Sequence, residues 1–182
     1  MCGEVSQAVD QGVPSPHAGI DGTIRGTMAG MELREVEDGD IAVFYGHQAD
    51  PAASELAAVR SRDRADHEAH WARIRADPQT LVRAIVVDGA VAGLVLAFPR
   101  GGVRELGYWL GRSHWGRGLA SEAVGAFLPL VPERPLHAVV AEHNVASRRV
   151  LEGHGFRLTG REQVEQVPDG GPPVVLLRLR LG

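Results

Sequence analysis

The stretch LVRAIVVDGAVAGLVLAF, residues 81–98, constrains the fold more than any other part of the chain. Two runs rich in β-forming residues flank Asp88-Gly89. Such a pair accepts the positive φ angles of a two-residue primed turn, whose twist matches that of the strands it joins. A β-hairpin is therefore predicted here. On either side the pattern alternates between strand and helix. MELREV, from Met31, alternates as a short strand, and Asp38 stands where it can cap the helix GDIAVFYGHQ. Pro51 opens a second short helix, PAASELAAV, and RADHEAHWARIRAD forms a third. VRELGYWLG reads as a strand. Leu119, Ala123 and Phe127, with Ala120 and Val124 beside them, then mark an amphipathic helix. PLHAVVAEHN is a strand, NVASRRVLEGHG a helix stopped by Gly155, and FRLTGREQVEQV with VVLLRLRL a closing antiparallel pair around a Pro/Gly-rich loop at 168–173. This order predicts an α/β (α+β) chain whose mixed sheet carries helices on both faces.

At 182 residues the chain has room for one domain, or one domain and a tail. Residues 1–30, rich in Gly, Pro and Ser without an apolar period, read as a mobile tail, and the folded domain as residues 31–182. A net charge of -4 argues against a nucleic-acid binder that relies on positive field. Apolar runs fall short of the roughly 20 residues of a membrane span, and the start lacks the basic and apolar regions of a signal peptide. A cytoplasmic protein is expected. Cys2 is the single cysteine, so an internal disulfide and a cysteine metal site are both excluded. His67 and His70, with Asp63 and Asp66 nearby, form no metal pattern and read as a solvated helix face; no metal is expected.

The segment HWGRGLASEA, residues 114–123, places Gly116, Arg117 and Gly118 between a strand and a helix. The first four amides of a helix have no internal partner, so a glycine-rich entry can aim several of them at one anion. Alone the pattern is weak. It is neither a Walker A loop nor a dinucleotide fingerprint, and a tight turn explains it equally well. The wider context decides more. ELGYWLGRSHWGRGLASEA, followed by AEHNVASRRVLEGHGF, resembles the GCN5-related N-acetyltransferases (GNAT), and within them the branch that acetylates ribosomal-protein N-termini. Trp115-Gly116-Arg117-Gly118-Leu119-Ala120 matches the family's acetyl-CoA signature, with Trp115 in place of the usual Gln or Arg. Asn144, Ser147, Gly155 and Phe156 match its second block. The resemblance runs from about Met31 onward and is strongest from Glu105 to Phe156.

The resemblance implies a mixed, mostly antiparallel sheet of six to seven strands and direct transfer of an acetyl group from acetyl-CoA to an amine in a ternary complex. It implies that Trp115 to Ala120 cradle the pyrophosphate, with Ser121 adding a hydroxyl, and that the pantetheine lies between the strands ELGYWLG and LHAVVAE. Amides near Trp109 and Leu110 would then hold the pantetheine and polarise the thioester carbonyl. Asn144 reads as an N-cap and, by the resemblance, as a pantetheine contact; Ser147 would stand near the sulfur as a donor to the leaving thiolate.

An amine attacks only when neutral. At pH 7 a lysine-like amine pays about 4.6 kcal/mol for this and an α-amine only about 1–1.4 kcal/mol, so a weak base acting through water suffices for an N-terminus. Glu105 is the candidate base, against the plainer reading of an exposed strand-end carboxylate. The family's usual acid, a tyrosine in the last helix, is missing here. Tyr108 is expected to pack or to line the acceptor cleft, and His47 and Gln48 are candidate substrate contacts. Of the remaining histidines, His143 is the one expected near the cleft, and none is expected to be catalytic. The acceptor, a protein N-terminus or a small-molecule amine, is not specified by the sequence. A non-catalytic acyl-CoA-binding sensor or scaffold is the competing class. A homodimer is expected from the family's habit, with VVLLRLRL as the stretch to mediate it; neither nucleic acid nor membrane is an expected partner.

Overall fold

The computed structural model describes residues 22–25, 30–165 and 173–182. In chain order the elements are β1 (Ile24–Arg25), β2 (Met31–Arg34), α1 (Asp38–Gln48), α2 (Pro51–Ala57), α3 (Arg64–Ala76), β3 (Leu81–Val87), β4 (Ala90–Arg100), β5 (Val103–Leu110), α4 (Leu119–Phe127), β6 (Leu136–Ala141), α5 (Val145–Gly153), β7 (Arg157–Val164) and β8 (Val174–Leu181). A single 3-10 turn, Arg112–His114, links β5 to the entry of α4. All strands join one sheet in the order β1-β2-β3-β4-β5-β6-β8-β7. Seven are full strands and β1 is a two-residue stub. Every neighbouring pair is antiparallel except β5 and β6.

The hairpin forms as its turn dictates, with φ of 50° at Asp88 and 79° at Gly89. Two apolar layers then cover the sheet. On one face, Phe44 of α1 stacks on Trp71 of α3 at 4.9 Å, above Ala84, Val86 and Leu94. On the other, Leu119, Ala123, Val124 and Phe127 of α4 and Leu151 of α5 pack on Val95, Leu106, Leu136 and Leu179. The apolar spacing of α4 thus buries the stripe the sequence marked. Gly155, at φ 86°, ends α5 in the left-handed conformation, and the Phe156 amide turns back to the Leu151 carbonyl.

The segment 1–30 lies mostly outside the described residues; within it Ile24 and Arg25 pair with Leu33 and Glu32 of β2. Three expectations are corrected. Asp38 is not the cap of α1. That position is Glu37, whose amide donates to buried Asp40, and Asp40 also accepts two hydrogen bonds from Arg34 at 2.7 and 2.9 Å. Burial pushes the Asp40 carboxyl up, but the Arg34 guanidinium and the Glu37 amide outweigh it and hold the carboxyl below its usual range. His67 is not on a solvated face: it is 1% exposed, and its Nε2 donates to the Ile41 carbonyl at 3.1 Å. Finally β8 is an interior strand between β6 and β7, so the free edge on this side belongs to β7.

Burial lowers the His67 pKa below its usual value, despite the raising effect of the Ile41 carbonyl. A histidine held neutral in the folded state stabilises it above the unfolded pKa of about 6.5 and withdraws that stability as the pH falls toward the folded value. Thermal unfolding followed from pH 7.5 to 5 should show Tm falling below pH 6.5. His67→Gln, which keeps a donor and cannot titrate, should flatten that limb; an unchanged slope would place the acid sensitivity elsewhere.

Candidate active site in the cleft between the parted strands

Strands β5 and β6 are paired only at their starts, Arg104 with Leu136 and Glu105 with His137. Beyond these residues they part. Each is held straight by its other neighbour: β5 by β4 from Arg100↔Val103 to Gly93↔Leu110, β6 by β8 along its whole length. A cleft of about 350 Å3 fills the opening, floored by Tyr108, Trp109 and Leu110 and closed by Asn144, Ala146, Ser147 and Val150 of α5 and its entry. The N-terminal turn of α4 supplies Gly118, Leu119, Ala120 and Ser121, and α2 supplies Ala53, Leu56 and Ala57 as a lid.

The mouth of this cleft is a run of bare amides. Gly116 and Gly118 have φ of 72° and 77°, a region in which other residues are strained, and Gly118 is the N-cap of α4 without a side-chain cap. Among the described residues, no acceptor takes the amides from Gly116 to Ser121. A Cβ at Gly116 would meet no atom within 4 Å, so the glycine leaves space rather than avoiding a clash. Bare amides at a helix N-terminus beside an open, glycine-sided space fit a diphosphate. Exposed Arg117 stands on the same loop. Trp115 ties the loop down, its indole Nε1 donating to the Leu110 carbonyl at 3.0 Å.

Along β5 the amides alternate in direction. Gly111 donates to Ala92 on β4, so by the two-residue period of the ladder Trp109 also points its amide to β4, while those of Tyr108 and Leu110 face the opening. Of the two amides expected to serve a ligand, the one at Leu110 is available and the one at Trp109 is not. Asn144 caps α5 as expected, its side-chain oxygen accepting the Ser147 amide at 3.0 Å, which leaves its amide nitrogen for the cleft. Ser121 meets His154: the Nε2 of His154 donates to the Ser121 carbonyl at 2.8 Å and lies 3.1 Å from its hydroxyl.

Several residues fall outside the cleft. Glu105 is buried where β5 and β6 still pair, with the Arg100 guanidinium at 3.5 Å, and is not an exposed strand-end carboxylate. It shares a face of β5 with Trp109, whose indole donates to the His47 carbonyl, whereas Tyr108 points to the opposite face. His47 and Gln48 do not line the cleft. The His47 ring lies against Gly111 and edge-on to His114 at 6.3 Å, and the Gln48 carbonyl accepts the hydroxyls of Ser54 and Ser61. His143 borders a second hollow of about 660 Å3 on the far side of α2, its Nε2 donating to the Glu55 carbonyl. The 168–173 loop lies outside the described residues except Pro173.

His114, Ala146 and Val150 are lining residues that the sequence reading did not single out. Their signal is absent because the contact spans three elements. Burial lowers the pKa of both His47 and His114, helped at His47 by His114 and at His114 by Arg117. Among the described residues, neither Nδ1 finds a hydrogen-bond partner.

The sequence model of the acetyltransferase (GNAT) domain matches residues 31–157. The chain belongs to the GNAT acetyltransferases. It is thus an acetyl-CoA-dependent N-acetyltransferase in the fold that family shares. Solved structures agree in fold. RimL, a ribosomal L7/L12 α-N-protein acetyltransferase in complex with CoA, superposes with a TM-score of 0.69 at 17% identity, over 86% of this chain and 97% of that one. Mycobacterium smegmatis RimJ, bound to a CoA disulfide, gives 0.67 at 22% identity over 87% and 86%. Spermidine N-acetyltransferase from Vibrio cholerae, with CoA and spermine, gives 0.70 at 17% over 85% and 96%. No curated protein sequence matches the chain significantly.

Two substitutions test this acetyltransferase's cleft. Gly116→Ala places a methyl in open space at a positive φ, costing about 1 kcal/mol of stability, and should weaken acetyl-CoA at least tenfold by calorimetry. A Cβ at Gly111 would lie 2.5 Å from the His47 Nε2, so Gly111→Ala should destabilise the fold by about 1–3 kcal/mol. Adding His47→Ala should recover part of that loss in thermal unfolding.

Proposed function

We propose that this acetyltransferase moves the acetyl group of acetyl-CoA onto a primary amine, a protein N-terminus or a small molecule, by direct attack without an acyl-enzyme. One observation carries the reading: the bare amides from Gly116 to Ser121 open onto a cleft formed where two parallel strands part. In it the loop Trp115–Ala120 would hold the pyrophosphate, Asn144 the pantetheine, and the Leu110 amide the thioester carbonyl. Acetyl-CoA supplies an activated acyl group; the chain orients it and handles protons.

The two faces of β5 divide the chemistry. Glu105 lies on the face that α1 covers and Tyr108 on the α4/α5 face. We place the amine on the Glu105 side, its proton passing through water to this carboxylate, and the departing sulfur on the side of Ser147. The similarity to RimL, a ribosomal L7/L12 α-N-protein acetyltransferase, supports a protein N-terminus and that to the spermidine enzyme a polyamine, so both acceptor classes remain within the proposal. Pairing of two chains through a sheet edge would fall to β7 rather than to VVLLRLRL, and a cytoplasmic setting completes the reading. Among the described residues no helix is long and apolar enough to cross a membrane.

Glu105→Gln should leave acetyl-CoA affinity within twofold and lower turnover of an amine about 100-fold, the lower end of general-base contributions. Thiol release against a panel of α-amines and polyamines reads turnover; calorimetry reads affinity. Unchanged turnover would remove Glu105 as the base. Tight binding of acetyl-CoA without thiol release for any amine would favour the sensor or scaffold.

A further inference from the structure

Gly125 stands inside α4, where a glycine costs stability relative to alanine and calls for a reason. The reason is His154, the residue that ends α5. Its ring lies against α4 at this point, so a Cβ at Gly125 would come within 3.0 Å of the ring Cε1. From there the ring reaches one turn back along α4. Its Nε2 lies 2.8 Å from the Ser121 carbonyl and 3.1 Å from the Ser121 hydroxyl oxygen. A carbonyl only accepts, so Nε2 carries a hydrogen, and a ring nitrogen that carries one has no lone pair to accept with. The Ser121 hydroxyl therefore cannot donate to His154. It faces that N–H with its lone pairs, which turns its own hydrogen away from the ring. Among the described residues no acceptor takes that hydrogen. Ser121 lines the cleft beside Gly118, Leu119 and Ala120 of the amide run.

We infer that His154 is a positioning residue for the diphosphate: seated in the space that Gly125 leaves, it holds Ser121 with its hydroxyl hydrogen toward the cleft, as one more donor beside the loop amides. The inference rests on the acetyl-CoA reading of the cleft. His154 does not line the cleft and acts through the serine. A hydroxyl free to rotate loses part of its hydrogen bond to the cost of ordering, and one whose hydrogen is already turned loses less. The bond it then makes to a phosphate oxygen is charge-assisted, and so stronger than one between neutral groups. The carbonyl contact fixes which ring nitrogen carries the hydrogen, and that choice sets the direction of the hydroxyl. The glycine in α4, the histidine at the end of α5 and the serine at the cleft thus form one device, although His154 and Ser121 lie 33 residues apart.

The test measures CoA affinity by calorimetry and the phosphorus NMR of bound CoA, whose diphosphate and ribose-phosphate signals are separate. Ser121→Ala should weaken CoA about tenfold, the low end for a hydrogen bond to a charged group. His154→Ala should weaken it about threefold, the share that orientation carries. Both should move the diphosphate signals in the same direction and leave the ribose-phosphate signal in place. The double variant should match Ser121→Ala alone, because His154 acts only through the serine. His154→Gln, which keeps an N–H donor, should bind within twofold of the wild type. Gly125→Ala added to His154→Ala restores helix propensity, so this pair should unfold at or above the Tm of His154→Ala and still bind CoA as weakly. Failure of the wild type to bind CoA would sink the cofactor reading itself. With that binding intact, a His154→Ala complex of wild-type affinity and unmoved diphosphate signals would overturn the inference. A further loss in the Ser121/His154 double variant, or affinity regained in the Gly125/His154 pair, would show that the ring only props α4 against α5, and would overturn it equally.

Discussion

The site depends on a sheet that is made incomplete. Two adjacent parallel strands share their first residues and then separate, leaving backbone groups of β5 facing a gap. Unpaired backbone groups are costly away from water, so an opening of this kind persists only where the strands are held firmly from outside. The antiparallel ladders β4–β5 and β6–β8 do this, and they are regular along the full length of the gap. The helices on either face then seal the opening above and below. The groups the sheet leaves unused lie where the amide arm of a ligand can take them up.

The loop at the mouth shows how separate layers meet in one place. Gly111 leads into the turn that carries His114, and His47 from α1 lies against that glycine. The Trp109 indole holds the end of α1 through the His47 carbonyl, while the Trp115 indole holds the loop through the Leu110 carbonyl. Two tryptophans thus fasten the anion-facing loop to the sheet and the sheet to α1. His47, a candidate acceptor contact in the sequence, takes part in this bracing, while the Gln48 carbonyl accepts from Ser54 and Ser61.

The parts of the fold legible in the sequence are those set by neighbours a few residues apart. Asp88-Gly89 specifies its turn, the stripe Leu119–Ala123–Phe127 its helix face, and Gly155 the end of α5, because each acts through local backbone geometry. Asn144 showed itself as a cap for the same reason. The glycine loop was visible as bare amides, but its purpose came from resemblance rather than from spacing. Contacts between distant residues left no such trace. His67 sits among charged neighbours on a polar helix, and only the placement of the Ile41 carbonyl makes its burial tolerable. Asp40 resembles any acidic residue in a first helical turn until Arg34 is brought to it from β2. The meeting of Tyr108 with Ser147 needs both walls of the cleft in place.

The position of β8 makes the cleft hostage to a strand that never touches it. It lies inside the sheet, between β6 and β7, and supplies β6 with its continuous ladder. Without that ladder β6 would keep only its two-residue contact with β5. The hairpin and the α1–α3 layer stand on pairings of their own, with partners close in sequence. Damage to β8 would therefore spare much of the fold and still open one wall of the cleft, so substitutions far from the glycine loop can act on cofactor binding.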